Sequence, residues 1–304
     1  MRIALIACLL LRVAAAQDIV RDVRAAIAQN NFSMGEGLIQ KYKAARGTTP
    51  EMVEAVSWLG RGALAAKQLD RAAAYAAEAR KLALDQLKRR NLDAEPHLPL
   101  ALGASIEVEA LVMDGRGERD EAVTFLRREL KTWWATSIRT RIQKNIHVLS
   151  LEGKPAPALD VSHWLGPKPL PLARLRGKAL VLFFWAHWCA DCKKQAPDLV
   201  RLAAEYGPKG LLIIGPTRHY GYVGGGLEAT PEQETAYIDF VRKQFYSALA
   251  DMPAPLSEEN FKTYGSTSSP TLVLVDRKGI VRLYHPGAMS YRDLETGVRS
   301  ILGD

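Results

Sequence analysis

The stretch WAHWCADCKKQAP, residues 185–197, holds two of the chain's three cysteines, Cys189 and Cys192. Thiols at this spacing can hold a metal, anchor a haem, close a structural disulfide or exchange disulfides with another molecule. A structural zinc site wants four ligands, and the six histidines are scattered with no paired spacing. A copper site could recruit His187, yet no further ligand lies nearby. Haem attachment needs histidine directly after the second cysteine, where this chain has Lys193. A peroxidatic cysteine usually follows a threonine by three residues, and Ala186 occupies that place. A disulfide closing so short a loop removes little chain entropy. The balance falls to redox exchange, with a metal clip and an inert staple as the competing readings.

The elements around the pair agree with exchange chemistry. KALVLFFWA is a continuous apolar run of the kind buried in a central sheet, and CKKQAPDLVRLAAEYG reads as a helix ended by Gly207. A strand that runs into Cys-x-x-Cys at a helix start places Cys189 where unpaired N–H groups and the helix dipole favour a thiolate. Cys192 lies one turn in, shielded and close enough to bond the first sulfur. An exposed nucleophile with a buried resolving partner is what thiol–disulfide exchange requires. Downstream come a second apolar strand, LLIIGPT, and an amphipathic helix, PEQETAYIDFVRKQFYSAL, with Pro231 near its start. A short helix follows in LSEENFKTYG. PTLVLVDRKGIVRLYHPG reads as two strands about a turn, and YRDLETGVRSILG as a closing helix. The order is βαβα, a short helix, then ββα.

Phe184-Trp185-Ala186-x-Trp188-Cys189-x-x-Cys192-Lys193 resembles the active-site stretch of thioredoxin-fold proteins, above all the TlpA/ResA-like thiol–disulfide oxidoreductases. Pro197 matches the family's helix-kinking proline. Ser269-Pro270, just before TLVLVD, matches its cis-proline. The resemblance covers about residues 155–304. It implies an α/β thioredoxin-like domain, a central mixed sheet flanked by helices, with Cys189 and Cys192 catalytic. It also implies that Ser269 and Pro270 hold the backbone of a protein substrate, and that the partners are protein thiols and disulfides. No metal or organic cofactor is expected. The family leans towards a reductant kept reduced by a membrane electron donor.

The chain departs from its relatives at two places. The buried acid that thioredoxin carries six residues before the first cysteine is Phe183 here. The segment after the second strand, GPTRHYGYVGGG, lacks the glutamate that TlpA/ResA-like proteins often supply, which leaves His219 as the candidate for proton transfer. Between and beside the cysteines, Asp191 disfavours a thiolate, whereas Lys193, Lys194 and a protonated His187 favour it. These oppose each other, so the residues leave reductant against oxidant open. Trp188 is expected on the docking surface for substrate, with core packing as its other reading. The triple glycine 224–226 lacks the Lys-Ser/Thr of a phosphate loop and reads as a flap.

Upstream, residues 17–150 read as an all-α domain, set off by LEGKPAPALD. Leu59, Gly60, Ala63, Ala72, Ala76 and Ala79 have the spacing of a tetratricopeptide hairpin, and a 34-residue step back from Ala72 and Ala79 reaches Leu38 and Ala45. A third unit fits around Ala110, Gly117, Ala122 and Leu126. Such a domain could bind a partner, or simply prop the second domain. MRIALIACLLLRVAAA, residues 1–16, has the positive start, short apolar core and small residues of a secretory signal cleaved after Ala16. Arg12 interrupts the core, so an uncleaved anchor competes. Cleavage would remove Cys8 and leave one cysteine pair in a periplasmic or secreted protein.

Net charge is +8, but Lys and Arg are spread along the whole chain. No arginine-rich block with interleaved aromatics argues for nucleic acid. The sequence thus reads as a thiol–disulfide oxidoreductase. A non-catalytic adaptor that works through the helical repeats, and a thiol peroxidase, are the alternatives.

Overall fold

A computed structural model describes residues 18–303. The expected leader and its Cys8 lie outside them. The chain forms two compact units that divide between Val108 and Glu109.

The first unit is built from α1 (Ile19–Ala28), α2 (Phe32–Arg46), α3 (Pro50–Ala65) and α4 (Leu69–Leu87), and α5 (His97–Gly115) begins in it. Short polar side chains start the first three. Asp18, Asn31 and Thr49 each accept a backbone N–H that the helix leaves unpaired. Small residues govern the packing of α3 on α4. Ala63, Ala72, Ala76 and Ala79 are buried, and a Cβ added at Gly60 would lie 3.5 Å from the Ala76 nitrogen. Helices joined by such short links and lined with alanine approach closely as antiparallel hairpins.

The second unit opens with α6 (Arg119–Thr132) and α7 (Arg139–Ser150). Its sheet contains β1 (Ala179–Phe184), β2 (Leu211–Ile214), β3 (Thr271–Val275) and β4 (Val281–Pro286), in the order β2-β1-β3-β4. β1 runs parallel to β2, and the other pairings are antiparallel. Around it lie α8 (Ala190–Tyr206), α9 (Pro231–Phe245), α10 (Glu258–Tyr264) and α11 (Tyr291–Leu302). This is the element order expected from the apolar runs, and the thioredoxin-like arrangement that the resemblance implied.

Alternation along β1 separates two cores. Val181, Phe183 and Trp185 pack with residues of α8, α9 and α11. Leu180, Leu182 and Phe184 pack with Phe261 and Tyr264 of α10. A strand covered on both faces needs no polar side, which is why the run is continuous.

The division at Val108 differs from the boundary at 150 read from composition. The reason is packing between α7 and α10. His147 Nε2 donates to the Thr263 carbonyl at 2.8 Å, and Arg139 meets Glu259 at 2.7 Å. Gly265 ends α10 in a left-handed conformation with φ 61°, where an added Cβ would collide with the backbone of Lys144 on α7. Gly265→Ala therefore carries both a backbone penalty of about 1–2 kcal/mol and a collision. Gly303→Ala, also at positive φ but with open space around it, carries only the first. Denaturant unfolding followed by circular dichroism should show a clearly larger loss of stability for Gly265→Ala.

Candidate active site

β1 delivers the cysteine pair. Residues 185–189 leave the strand through a turn closed by the Cys189 N–H on the Ala186 carbonyl at 3.1 Å. Cys189 is the N-cap of α8, and its Sγ accepts the Cys192 N–H at 3.0 Å. The two are joined as a disulfide with Cα atoms 5.3 Å apart. Cys192 is fully buried and Cys189 nearly so, at 3% exposure. Pro197 lies within α8, where its ring nitrogen has no hydrogen to offer the Lys193 carbonyl one turn earlier.

Strand register brings the proline loop to the same end of the sheet. Phe184, the last residue of β1, pairs with Thr271, the first of β3. Trp185 and Pro270 therefore follow at adjacent positions beyond the ladder. The Ser269–Pro270 bond is cis, as read from the sequence. The Thr271 hydroxyl caps the loop by donating to the Ser268 carbonyl at 2.7 Å. Trp185 is fixed from three sides. Its indole donates to the Gly215 carbonyl, its carbonyl accepts from Thr217 Oγ1, and its N–H donates to the Pro216 carbonyl. Trp188, by contrast, is 47% exposed, with its ring edge on Tyr220. It is therefore not a core residue.

Charges near the pair are less opposed than the sequence implied. Lys194 pairs with Asp191 at 3.0 Å on the exposed face, an interaction within about 1 kcal/mol. The Lys193 ammonium lies over the Phe245 ring at 4.6 Å. Gln195 is buried and accepts the Met289 N–H, tying α8 to the start of α11.

His219 and His187 exchange prominence. His219 bonds Thr235 Oγ1 at 2.7 Å and lines a cleft with His163, Trp164 and Glu232, which Trp188 and Ser269 do not share. His187 lies inside the turn before Cys189 and is buried. Its Nε2–H donates to Glu234 of α9 at 3.1 Å, and its ring is boxed by Tyr220, Tyr222 and Tyr237. Glu234 also accepts the Tyr220 and Gly221 N–H groups, at 2.6 and 2.8 Å. Burial holds the His187 imidazole below its ordinary range, against the opposite pull of Glu234. Burial thereby favours the uncharged imidazole. An acid thus meets the GPTRHYGYVGGG segment from α9, through Glu234 on the Tyr220 and Gly221 N–H groups. The sequence carries a signal for it, because Glu234 falls in step with the buried Ile238 and Val241 on one helix face. The triple glycine forms the tip of a short ribbon in which Tyr222 pairs with Glu228.

Among the described residues no cluster of three or more His, Cys, Asp or Glu could hold a metal ion. No helix among them is long and apolar enough to cross a membrane.

The C-terminal half of the chain is similar to known redox proteins. Residues 153–284 match the AhpC/TSA family. The chain is 31% identical over 149 residues to the thiol-disulfide oxidoreductase ResA of Bacillus thuringiensis subsp. konkukian, covering 49% of this chain and 78% of that protein. It is 26% identical over 156 residues to the thiol:disulfide interchange protein DsbE of Xylella fastidiosa, covering 51% of this chain and 71% of that one. Among solved structures, a thiol-disulfide isomerase from Corynebacterium glutamicum aligns over 50% of this chain and 97% of its own, with 21% identity and a TM-score of 0.41.

The buried histidine has a consequence for stability. Unfolded, its imidazole titrates near about 6.5, and folding lowers that value. Below about pH 6.5 the unfolded chain therefore binds the extra proton, so stability falls as pH falls. His147, buried against Thr263, acts in the same direction. Denaturant midpoints should drop between pH 7 and pH 5. His187→Gln, which retains a donor for Glu234 but does not titrate, should flatten that slope.

Proposed function

The chain belongs to the ResA-like thiol–disulfide oxidoreductases, and we propose that it reduces disulfides of protein substrates outside the cytoplasm through Cys189 and Cys192. The observation that carries the reading is the place of Cys189 Sγ at the first turn of α8, accepting the Cys192 N–H. In the reduced form that bond and the helix dipole stabilise a thiolate. The thiolate attacks one sulfur of a substrate disulfide. The substrate S–S bond breaks, a mixed disulfide forms, and the second substrate sulfur leaves as a thiolate that takes a proton. Cys192, once deprotonated, attacks Cys189 Sγ and expels the remaining substrate sulfur. Two electrons pass to the substrate, two protons complete its thiols, and the pair becomes the disulfide seen here.

Trp188 and the Ser269–Pro270 loop hold the substrate chain in this account, while Asp191, Lys193 and Pro197 set the redox poise. A membrane electron donor returns the pair to the dithiol. Residues 1–16 deliver the protein as a cleaved leader. The α3–α4 packing supports a tetratricopeptide-like reading of the helical part, which offers a second surface for a protein partner.

With dithiothreitol and insulin, the wild type should accelerate precipitation of the insulin B chain, and Cys189→Ser should not. Cys192→Ser should accumulate covalent complexes released by reductant. Equal turnover by wild type and Cys189→Ser would refute the assignment. Protein recovered from the extracytoplasmic fraction should begin at Gln17.

A further inference from the structure

A cleft of about 780 Å³ opens beside the redox pair, within the second unit. This lies in the range of clefts that hold a ligand, about 300–1,000 Å³. On one side stand Trp188 and Ser269. The other side is formed by the link between α6 and α7 and the start of α7, including Trp134 and Arg139. These last two residues lie outside the family-matched segment, which begins at residue 153. Nothing in the reaction itself requires them.

Their arrangement is held firmly. Arg139 stacks on the Trp134 ring at 3.6 Å and reaches Glu259 at 2.7 Å, while α7 is locked against α10 at Gly265 and Thr263. Even so, Trp134 remains 52% exposed, facing the same cleft as the half-exposed Trp188. Between them the charge is positive. Arg139, Arg218 and Lys262 line the cleft with one acid, Glu258. That carboxylate serves Lys262 at 3.1 Å and lies 3.7 Å from Arg218. Arg218 is held only loosely by that carboxylate. Its Nε is buried without a hydrogen-bond acceptor, although its guanidinium packs on Tyr220 and Phe261. The Arg218 side chain is one-third exposed, so its guanidinium is open to a carboxylate carried by a ligand.

We propose that the 134–139 segment is a second wall of the substrate cleft, selecting polypeptides that carry an aromatic and an acidic residue beside the reacting cysteine. The aromatic ring enters between Trp134 and Trp188, and the carboxylate meets Arg218. This deepens the oxidoreductase reading and rests on it.

The test uses full-length protein, reduced with dithiothreitol, and three disulfides. One is a peptide with Phe and Asp flanking its cysteine, the second has Ser and Lys in their place, and the third is hydroxyethyl disulfide. The Phe/Asp peptide should be reduced at least about tenfold faster in kcat/KM than the Ser/Lys peptide, a difference of about 1.4 kcal/mol. Arg218→Gln should lower the ratio of the Phe/Asp peptide rate to the hydroxyethyl disulfide rate several-fold. Trp134→Ala should do the same, and Trp134→Phe should restore the ratio. Equal rates for the two peptides, or an unchanged ratio in Arg218→Gln and Trp134→Ala, would overturn the cleft proposal alone. No reduction of any of the three disulfides would overturn the oxidoreductase reading and this proposal with it.

Discussion

A sulfur atom occupies the position where a helix start usually places a serine or aspartate oxygen. Cys189 Sγ accepts the Cys192 N–H, so the capping requirement of α8 and the chemistry of the thiol are met by one interaction. An anionic sulfur gains more from that bond than a neutral one does, and it also gains from the helix dipole. The surrounding structure keeps this geometry fixed. β1 is buried on both faces, Trp185 is bonded on three sides, and Gln195 links α8 to the start of α11.

The same geometry explains why the two sulfurs are not equivalent. Both sulfurs are buried in the disulfide form, Cys189 at 3% exposure where the sequence led to an exposed nucleophile, but Cys189 lies at the end of a turn beside exposed Trp188, whereas Cys192 lies one turn further in. Polar side chains near the pair are largely engaged elsewhere. Lys194 is matched by Asp191, Lys193 rests on Phe245, and His187 is buried against Glu234. The backbone is left as the principal stabiliser of charge on Cys189. Backbone donors are set by the fold and do not titrate, so the preference for a thiolate does not depend on a neighbouring histidine gaining or losing a proton.

Features encoded by near neighbours were legible in the sequence. The strand run KALVLFFWA, the helix opened by Cys189 and the prolines at 197 and 270 each announce themselves within a few residues. The cis Ser269–Pro270 bond followed from the family pattern. Long-range pairings were not legible in the same way. The family pattern points to GPTRHYGYVGGG, whereas His187 is met across 47 positions by Glu234. Its in-phase position with Ile238 and Val241 was the available clue. Composition set a boundary at 150 because the glycines and prolines cluster there. The docking of α7 on α10 depends on a contact between Gly265 and Lys144, which no local pattern encodes.

The most direct measurement is the pH dependence of alkylation at each cysteine in the reduced protein, resolved by mass spectrometry. If the start of α8 stabilises the Cys189 thiolate, labelling of Cys189 by iodoacetamide should have its midpoint at least about one pH unit below the free-cysteine value of about 8.5. Cys192 should stay protected over the same range. A Cys189 midpoint at or above that of free cysteine, or faster labelling of Cys192, would contradict the account.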